Sequence, residues 1–178
     1  MIPPNLTTER LLLRPAVEAD AAALFHGVAS DPRVTRYMDW RTNRSVEETL
    51  AFLRSVNRPD GAGERVMSIC LADSPDDPIG TLGAERDGPR VTVGYVLAHR
   101  HWGHGYMTEA LGAFTDAWLA VEGVWRIQAW RHVDNTASAR VLERVGFELE
   151  GTARRRNLMP QIGPMPQDCC VHALVREP

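Results

Sequence analysis

The sequence is poor in cysteine, which excludes a disulfide framework. Its 178 residues include only three cysteines, Cys70, Cys169 and Cys170. Because the last two are adjacent, they would point to opposite faces of a strand. No cysteine or histidine cluster has the spacing of a zinc site, so His132 and His172 are expected to be ordinary polar residues. We therefore predict a protein without a metal in a reducing compartment.

Long apolar runs and an excess of basic charge are also missing. No apolar run is long enough to span a bilayer, and the stretch MIPPNLTTER lacks the apolar centre of a signal peptide. The net charge of −3 provides no overall basic field for nucleic acid. We expect a cytoplasmic protein that binds neither membrane nor nucleic acid. Its length predicts a single domain over residues 1–178.

What the chain does have is a glycine-containing turn between a strand and a helix, within YVLAHRHWGHGYMTEALGAFTDAWLAV from Tyr95 to Val121. Gly103 and Gly105 carry no Cβ and so permit close backbone approach. Free N–H groups at a helix start favour phosphate. Neither a Walker loop nor the dinucleotide fingerprint is present. By spacing alone, an ordinary tight turn fits equally well. The helix has an apolar face formed by Met107, Ala110, Leu111, Phe114, Trp118 and Val121.

The remaining patterns predict a mixed α/β domain with helices interspersed among strands. Helices are predicted over Ala19 to Ser30, from the capping box at Ser45, and over Thr136 to Val145. Strands are predicted at Arg10 to Arg14, Val66 to Ala72, Ile79 to Arg86, Val91 to Leu97, Trp125 to Arg131, Phe147 to Ala153 and Asp168 to Val175. Turns or loops are predicted at Asn57 to Gly63, Asp73 to Pro78 and Arg154 to Gln167. The strands on either side of the glycine turn and its helix are expected to be parallel.

The run from Arg100 to Gly105 resembles the Arg/Gln-x-x-Gly-x-Gly/Ala signature of the GNAT superfamily of acyl-CoA-dependent N-acetyltransferases. The longer run GYVLAHRHWGHGYMTEAL is similar to the branch that includes the RimJ/RimL-like ribosomal-protein N-terminal acetyltransferases. Other segments resemble the family in the same order, such as Asn135 to Ser138 and Val141 to Phe147. The resemblance implies the GNAT fold, a mostly antiparallel sheet of six to seven strands with a splayed central parallel pair.

The same resemblance implies a site for acetyl-CoA. Backbone groups of Val96 and Ala98, on either side of Leu97, would pair with the pantetheine arm. Asn135 would hydrogen-bond that arm. The pyrophosphate would lie on backbone N–H groups of the turn, at Arg100, Trp102, Gly103, His104, Gly105 and Tyr106.

The resemblance leaves the catalytic groups less defined. No tyrosine follows Tyr106, so the tyrosine that donates a proton in many members of the family has no counterpart. Ser138 is the predicted donor, although a serine that satisfies the helix start fits as well. For the base, Glu85, Glu109 and Glu148 remain open, as does a water chain. Glu109 would equally complement the helix N-terminus.

Tyr37 and Trp40 are predicted to border the acceptor. The alternative is that they pack between the sheet and the two-helix lid that the resemblance implies around Asp31 to Ser45. The predicted reaction is acetyl transfer to a primary amine, most directly the α-amine of a protein N-terminus. An α-amine has a pKa of ~7.7–8.0 against ~10.4 for lysine, so it needs little base. A small-molecule amine (an amino acid, a polyamine or an antibiotic) and a non-catalytic acyl-CoA-binding module are the alternatives. The terminal strand offers an edge for a homodimer.

Overall fold

A computed structural model of the chain describes residues 2–56 and 65–177. The predicted loop from Asn57 to Gly63 lies outside these residues. The described residues form one eight-stranded sheet with helices on both faces, in the order β1-β2-β3-β4-β5-β6-β8-β7. The strands are β1 Leu6–Thr7, β2 Leu11–Pro15, β3 Arg65–Leu71, β4 Ser74–Asp87, β5 Arg90–Leu97, β6 Arg126–His132, β7 Glu148–Asn157 and β8 Gln167–Val175.

The predicted fold class is confirmed, with differences at the ends of strands. The eighth strand is β1, whose two residues are too short to carry a periodic signal. Of the turn predicted at Asp73 to Pro78, the residues from Ser74 onward belong to β4, because a bulge after Ile69 lets them pair with β3. Strand β7 continues to Asn157, into the predicted loop.

In the described part of the chain, five α-helices cover the sheet: α1 Ala21–Leu24, α2 Pro32–Thr35, α3 Val46–Val56, α4 Tyr106–Leu119 and α5 Thr136–Val145. The predicted helix from Ala19 to Ser30 is divided into a 3-10 turn, α1 and a π-helical segment, Phe25–Ala29. Helices α4 and α5 bury Phe114 and Leu142 in the larger apolar core. Helices α1 and α3 cover the opposite face through Leu24 and Leu53.

The centre of the sheet is splayed, and this gap positions the site. Strands β5 and β6 are the parallel pair, and they pair only over residues 90–93 and 126–129. Beyond these residues, β4 is the only described strand that pairs with β5, and just after β5 the Ala98 N–H donates to the Ile79 carbonyl at 2.8 Å. Since backbone groups alternate in direction along a strand, those of Tyr95 and Leu97 face the gap.

The ion pair between Arg14 of β2 and the buried Asp20 supports one stability prediction. Asp20 is 3% exposed and accepts hydrogen bonds from Arg14, Ser68 and the Val17 N–H. Burial raises the pKa of Asp20, but these bonds outweigh burial and lower it below its ordinary value. Asp20→Asn is therefore expected to reduce the free energy of unfolding at pH 7 by about 2 kcal/mol, measured by urea denaturation.

The pH dependence of that loss follows from the lowered pKa. The stabilisation is fully present above the unfolded-state pKa of ~3.9 and disappears as the pH falls through the folded-state value. The difference between wild type and Asp20→Asn should shrink below about pH 4. Glu18→Gln is the control, because Glu18 and Arg54 form an exposed pair worth less than about 1 kcal/mol. Equal losses in the two variants would contradict the prediction.

Candidate active site

The turn between β5 and α4 places unpaired N–H groups at the mouth of the gap. Gly105 precedes the first helical residue with φ +80°, and Gly103 has φ +79°. A Cβ at Gly103 would meet nothing within 4 Å, so the backbone conformation itself explains that glycine in this structure. The Glu109 N–H is the first to bond back, to the Gly105 carbonyl at 3.0 Å. The N–H groups of the preceding helical residues, 106–108, have no acceptor within the helix.

The segment that connects β1 to β2 contacts this turn and holds it in place. Glu109 accepts hydrogen bonds from the Thr8 hydroxyl at 2.6 Å and from Arg10 Nε at 2.7 Å. Arg10 also donates to the His104 carbonyl at 3.0 Å and lies over the Tyr106 ring. Burial raises the pKa of Glu109, but these bonds outweigh it and lower that pKa. Glu109 therefore stabilises the turn and is poorly suited to act as a base.

Two hydroxyl groups meet on the α5 side of the gap. Tyr95 Oη lies 2.8 Å from Ser138 Oγ and 3.3 Å from the Ser138 carbonyl oxygen, so its proton can be donated to either atom. The Asn135 side chain accepts the Ser138 N–H at 3.1 Å and so caps α5. Because Asn135 satisfies the helix start, the Ser138 hydroxyl is not needed there. Burial raises the pKa of Tyr95 to about 12, so this hydroxyl is protonated at neutral pH.

A cleft of about 700 Å³ joins the turn to these hydroxyls. Of the described residues that line it, Asp134 is the only carboxylate. Its basic lining residues are Arg33, Arg36, His99, His101, Arg140 and Arg144. The cleft is therefore suited to an anionic ligand, with a phosphate group at the N-terminus of α4.

A second cleft, of about 470 Å³, adjoins the first and shares Arg36, Tyr37 and Asp134 with it. The Tyr37 ring stacks on His132, with centroids 5.1 Å apart. His132 Nδ1 accepts the Asp134 N–H at 3.1 Å, which places the proton of the neutral ring on Nε2. This second cleft gives another molecule access to the same region.

Comparison with known proteins identifies the family. Residues 10–148 match the family model described as an acetyltransferase (GNAT) domain. The chain belongs to this family. It is 31% identical to the uncharacterized N-acetyltransferase p20 of Bacillus licheniformis over 153 residues, which are 84% of this chain and 85% of that protein.

Two solved structures share the fold of this GNAT acetyltransferase. The ribosomal L7/L12 α-N-protein acetyltransferase RimL, in complex with coenzyme A, has a TM-score of 0.81 at 23% identity, covering 98% of this chain and 97% of RimL. The microcin C7 self-immunity acetyltransferase MccE, in complex with acetyl-CoA and AMP, has a TM-score of 0.82 at 16% identity, covering 95% of this chain and 94% of MccE.

Two of the backbone positions expected to bind the pantetheine arm of the GNAT ligand need correction. Ala98 uses its N–H for Ile79 and its carbonyl for the His101 N–H, so neither group faces the gap. Because backbone groups alternate in direction along a strand, those of Val96 point towards Thr81 of β4 and away from the gap. The residues with gap-facing backbone groups are Tyr95 and Leu97. The Leu97 carbonyl also accepts a hydrogen bond from Trp102 Nε1 at 2.7 Å.

The other predicted site residues of this GNAT acetyltransferase are only partly brought together. Tyr37, Asn135 and Ser138 line the main cleft, as do most residues of the turn. Trp40 lines neither cleft, and its carbonyl accepts Gln161 Nε2 at 2.8 Å. Arg100 does not line the main cleft either, because its guanidinium lies beside Gly27.

Tyr95 and Arg10 are the site residues that the sequence analysis missed. Arg10 lies 99 positions from the carboxylate of Glu109 that it binds.

Within the described residues, no three His, Cys, Asp or Glu side chains are grouped to hold a metal ion. None of the helices in the described part of the chain combines the length and apolar character needed to cross a bilayer.

Proposed function

We propose that this GNAT acetyltransferase transfers the acetyl group of acetyl-CoA to the α-amine of a polypeptide N-terminus. Acetyl-CoA would supply an acetyl group activated as a thioester. The observation that carries the choice of acceptor is the composition of the clefts. Among the described residues lining either cleft, Asp134 is the only carboxylate. Because carboxylate bases are scarce there, we favour an acceptor amine of which an appreciable fraction is already neutral near pH 7.

The residues present fit acetyl-CoA. The N–H groups at the start of α4 would bind its pyrophosphate, and the backbone groups of Tyr95 and Leu97 would pair with its pantetheine arm. Arginines around the cleft would neutralise the phosphates. The RimL and MccE structures, which hold coenzyme A and acetyl-CoA, support the same ligand here.

The residues around the gap also provide a route for the proton. Ser138 would donate its hydroxyl proton to the departing sulfur. Asp134 lies where both clefts meet and would attract the protonated form of the incoming amine. Glu85 and Glu148 are exposed on the sheet and line neither cleft, so they are poorly placed to act as the base.

The acceptor preference is tested by comparing two peptides. One has a free N-terminus and no lysine, and the other has a blocked N-terminus and one lysine. At pH 7 the neutral fraction differs by a few hundredfold between the two amines. We expect transfer to the free N-terminus to be faster by at least about tenfold, measured by mass spectrometry and thiol release.

The pH profile provides an independent check. The rate on the free N-terminus should rise with pH and level off near about pH 8, whereas the rate on lysine should still rise towards about pH 10. The protein contains no lysine, so self-acetylation of primary amines is confined to its own N-terminus and does not obscure the assay. Comparable rates on both peptides, or transfer only to small amines, would contradict the acceptor assignment. Binding of acetyl-CoA without thiol release on any amine would indicate a non-catalytic module.

A further inference from the structure

The contact between Tyr95 and Ser138 is the feature of the site that the proposed function leaves unexplained. Both residues line the main cleft and both are partly buried. They come from different elements, β5 and α5, and are 43 positions apart in the chain. The tyrosine hydroxyl therefore reaches the serine because the splay of the sheet brings the first turn of α5 close to the end of β5.

The possible proton arrangements of this pair are few. The Ser138 carbonyl only accepts, and it lies 3.3 Å from Tyr95 Oη, whereas Ser138 Oγ lies closer, at 2.8 Å. When Tyr95 donates to Ser138 Oγ, the serine proton is left free to point into the cleft. When Tyr95 donates to the carbonyl, Ser138 instead donates to Tyr95. The hydroxyl of Tyr95 thus decides where the serine proton points.

Arg131 provides a positive charge near Tyr95. Its Nε donates to His172 Nε2 at 3.0 Å, and its Nη1 donates to the carbonyls of His132 and Val133 at 3.2 and 3.0 Å. These contacts fix the guanidinium close enough to Tyr95 to oppose the effect of burial on its pKa. Negative charge left on the hydroxyl pair would be stabilised by this cation.

We propose that Tyr95 is a positioning residue that directs the Ser138 proton to the departing sulfur and shares the charge that remains on the serine. The inference rests on the proposed function. In the overall step a C–N bond forms, the C–S bond breaks, and the Ser138 proton moves to sulfur. Ser138 regains a proton through Tyr95, which is reprotonated through water by the proton that the amine nitrogen releases.

Tyr95→Phe tests this role, because it removes the hydroxyl and leaves the ring. We expect kcat with the N-terminal peptide to fall roughly tenfold. The KM for acetyl-CoA should stay within about twofold, because the backbone groups that face the arm are retained. In the Ser138→Ala background, Tyr95→Phe should cause no further loss of kcat, since the group it directs is gone. Additive losses in the double variant would overturn the inference.

A second readout is independent of turnover. The chain has three tyrosines, so labelling each phenolic carbon with ¹³C gives three resonances. Tyr37→Phe and Tyr106→Phe assign two of them, and the third then belongs to Tyr95. Ser138→Ala should shift that resonance and leave those of Tyr37 and Tyr106 in place. An unmoved Tyr95 resonance would overturn the inference, and this arm decides the matter if Tyr95→Phe fails to fold.

The two proposals fail in different ways. If wild-type protein transfers acetyl groups and Tyr95→Phe retains full kcat, only the role of Tyr95 is overturned. If wild-type protein transfers nothing to any amine, the proposed function is overturned and the role of Tyr95 with it.

Discussion

Alanine at both Gly103 and Gly105 is expected to weaken acetyl-CoA binding by roughly 30- to 900-fold, because each position costs an L-residue about 1–2 kcal/mol in the left-handed region. Both glycines have φ near +80°. In the free protein the substituted turn relieves this strain by changing its conformation. Binding then requires the turn to return to the strained form that presents the N–H groups of α4. Isothermal titration calorimetry with acetyl-CoA measures the loss.

Gly112→Ala is the matched control within the same helix. A Cβ at Gly112 meets nothing within 4 Å, and its backbone is helical. This variant should bind acetyl-CoA as wild type does and gain about 0.5–1 kcal/mol of stability, since alanine favours a helix interior over glycine. Wild-type affinity in the Gly103→Ala/Gly105→Ala protein would show that this turn does not hold the pyrophosphate.

Ser138→Ala is expected to lower kcat by at least about 100-fold, the lower end of the usual contribution of a general acid. The change removes one oxygen and keeps the helix start intact, because the cap on the Ser138 N–H comes from the Asn135 side chain. The KM for acetyl-CoA should change by less than about twofold, because the proton is needed only when the C–S bond breaks. Steady-state thiol release with a saturating N-terminal peptide measures both constants.

Ser55→Ala controls for the loss of a helical serine. Ser55 is exposed on α3 and donates to the Phe52 carbonyl at 2.7 Å, on a helix that contributes no residue to the main cleft. This variant should retain wild-type kcat. If Ser138→Ala also keeps kcat within about threefold of wild type, a group other than Ser138 protonates the thiolate.

The sequence predicted well those features that depend on local chemistry. The apolar spacing from Met107 to Trp118 and the glycines before it defined α4 and its turn. The helix predicted over Thr136 to Val145 is α5 with the same bounds, and it ends at Gly146, which has φ +100° and is followed by a bond from the Phe147 N–H to the Leu142 carbonyl. The crossover from β5 through α4 to β6 also correctly implied the parallel pair.

Features that depend on distant parts of the chain were not predictable in the same way. Which residues of β5 face the gap depends on their register against β4, and sequence spacing does not reveal a register. The contact of Tyr95 with Ser138 requires the first turn of α5 to lie near the end of β5, which follows only from the complete sheet. The contact between Arg10 and Glu109 joins residues 99 positions apart, so it too depends on the complete fold.

The splay of the sheet has a consequence for solubility. Exposed hydrogen-bonding groups along a strand can recruit a strand from another chain and begin aggregation. Here such groups lie inside the molecule, between β5 and β6, and the indole of Trp102 already occupies the carbonyl of Leu97. The gap can therefore bind an extended ligand, but it does not present an exposed sheet edge to which a strand of another protein could pair.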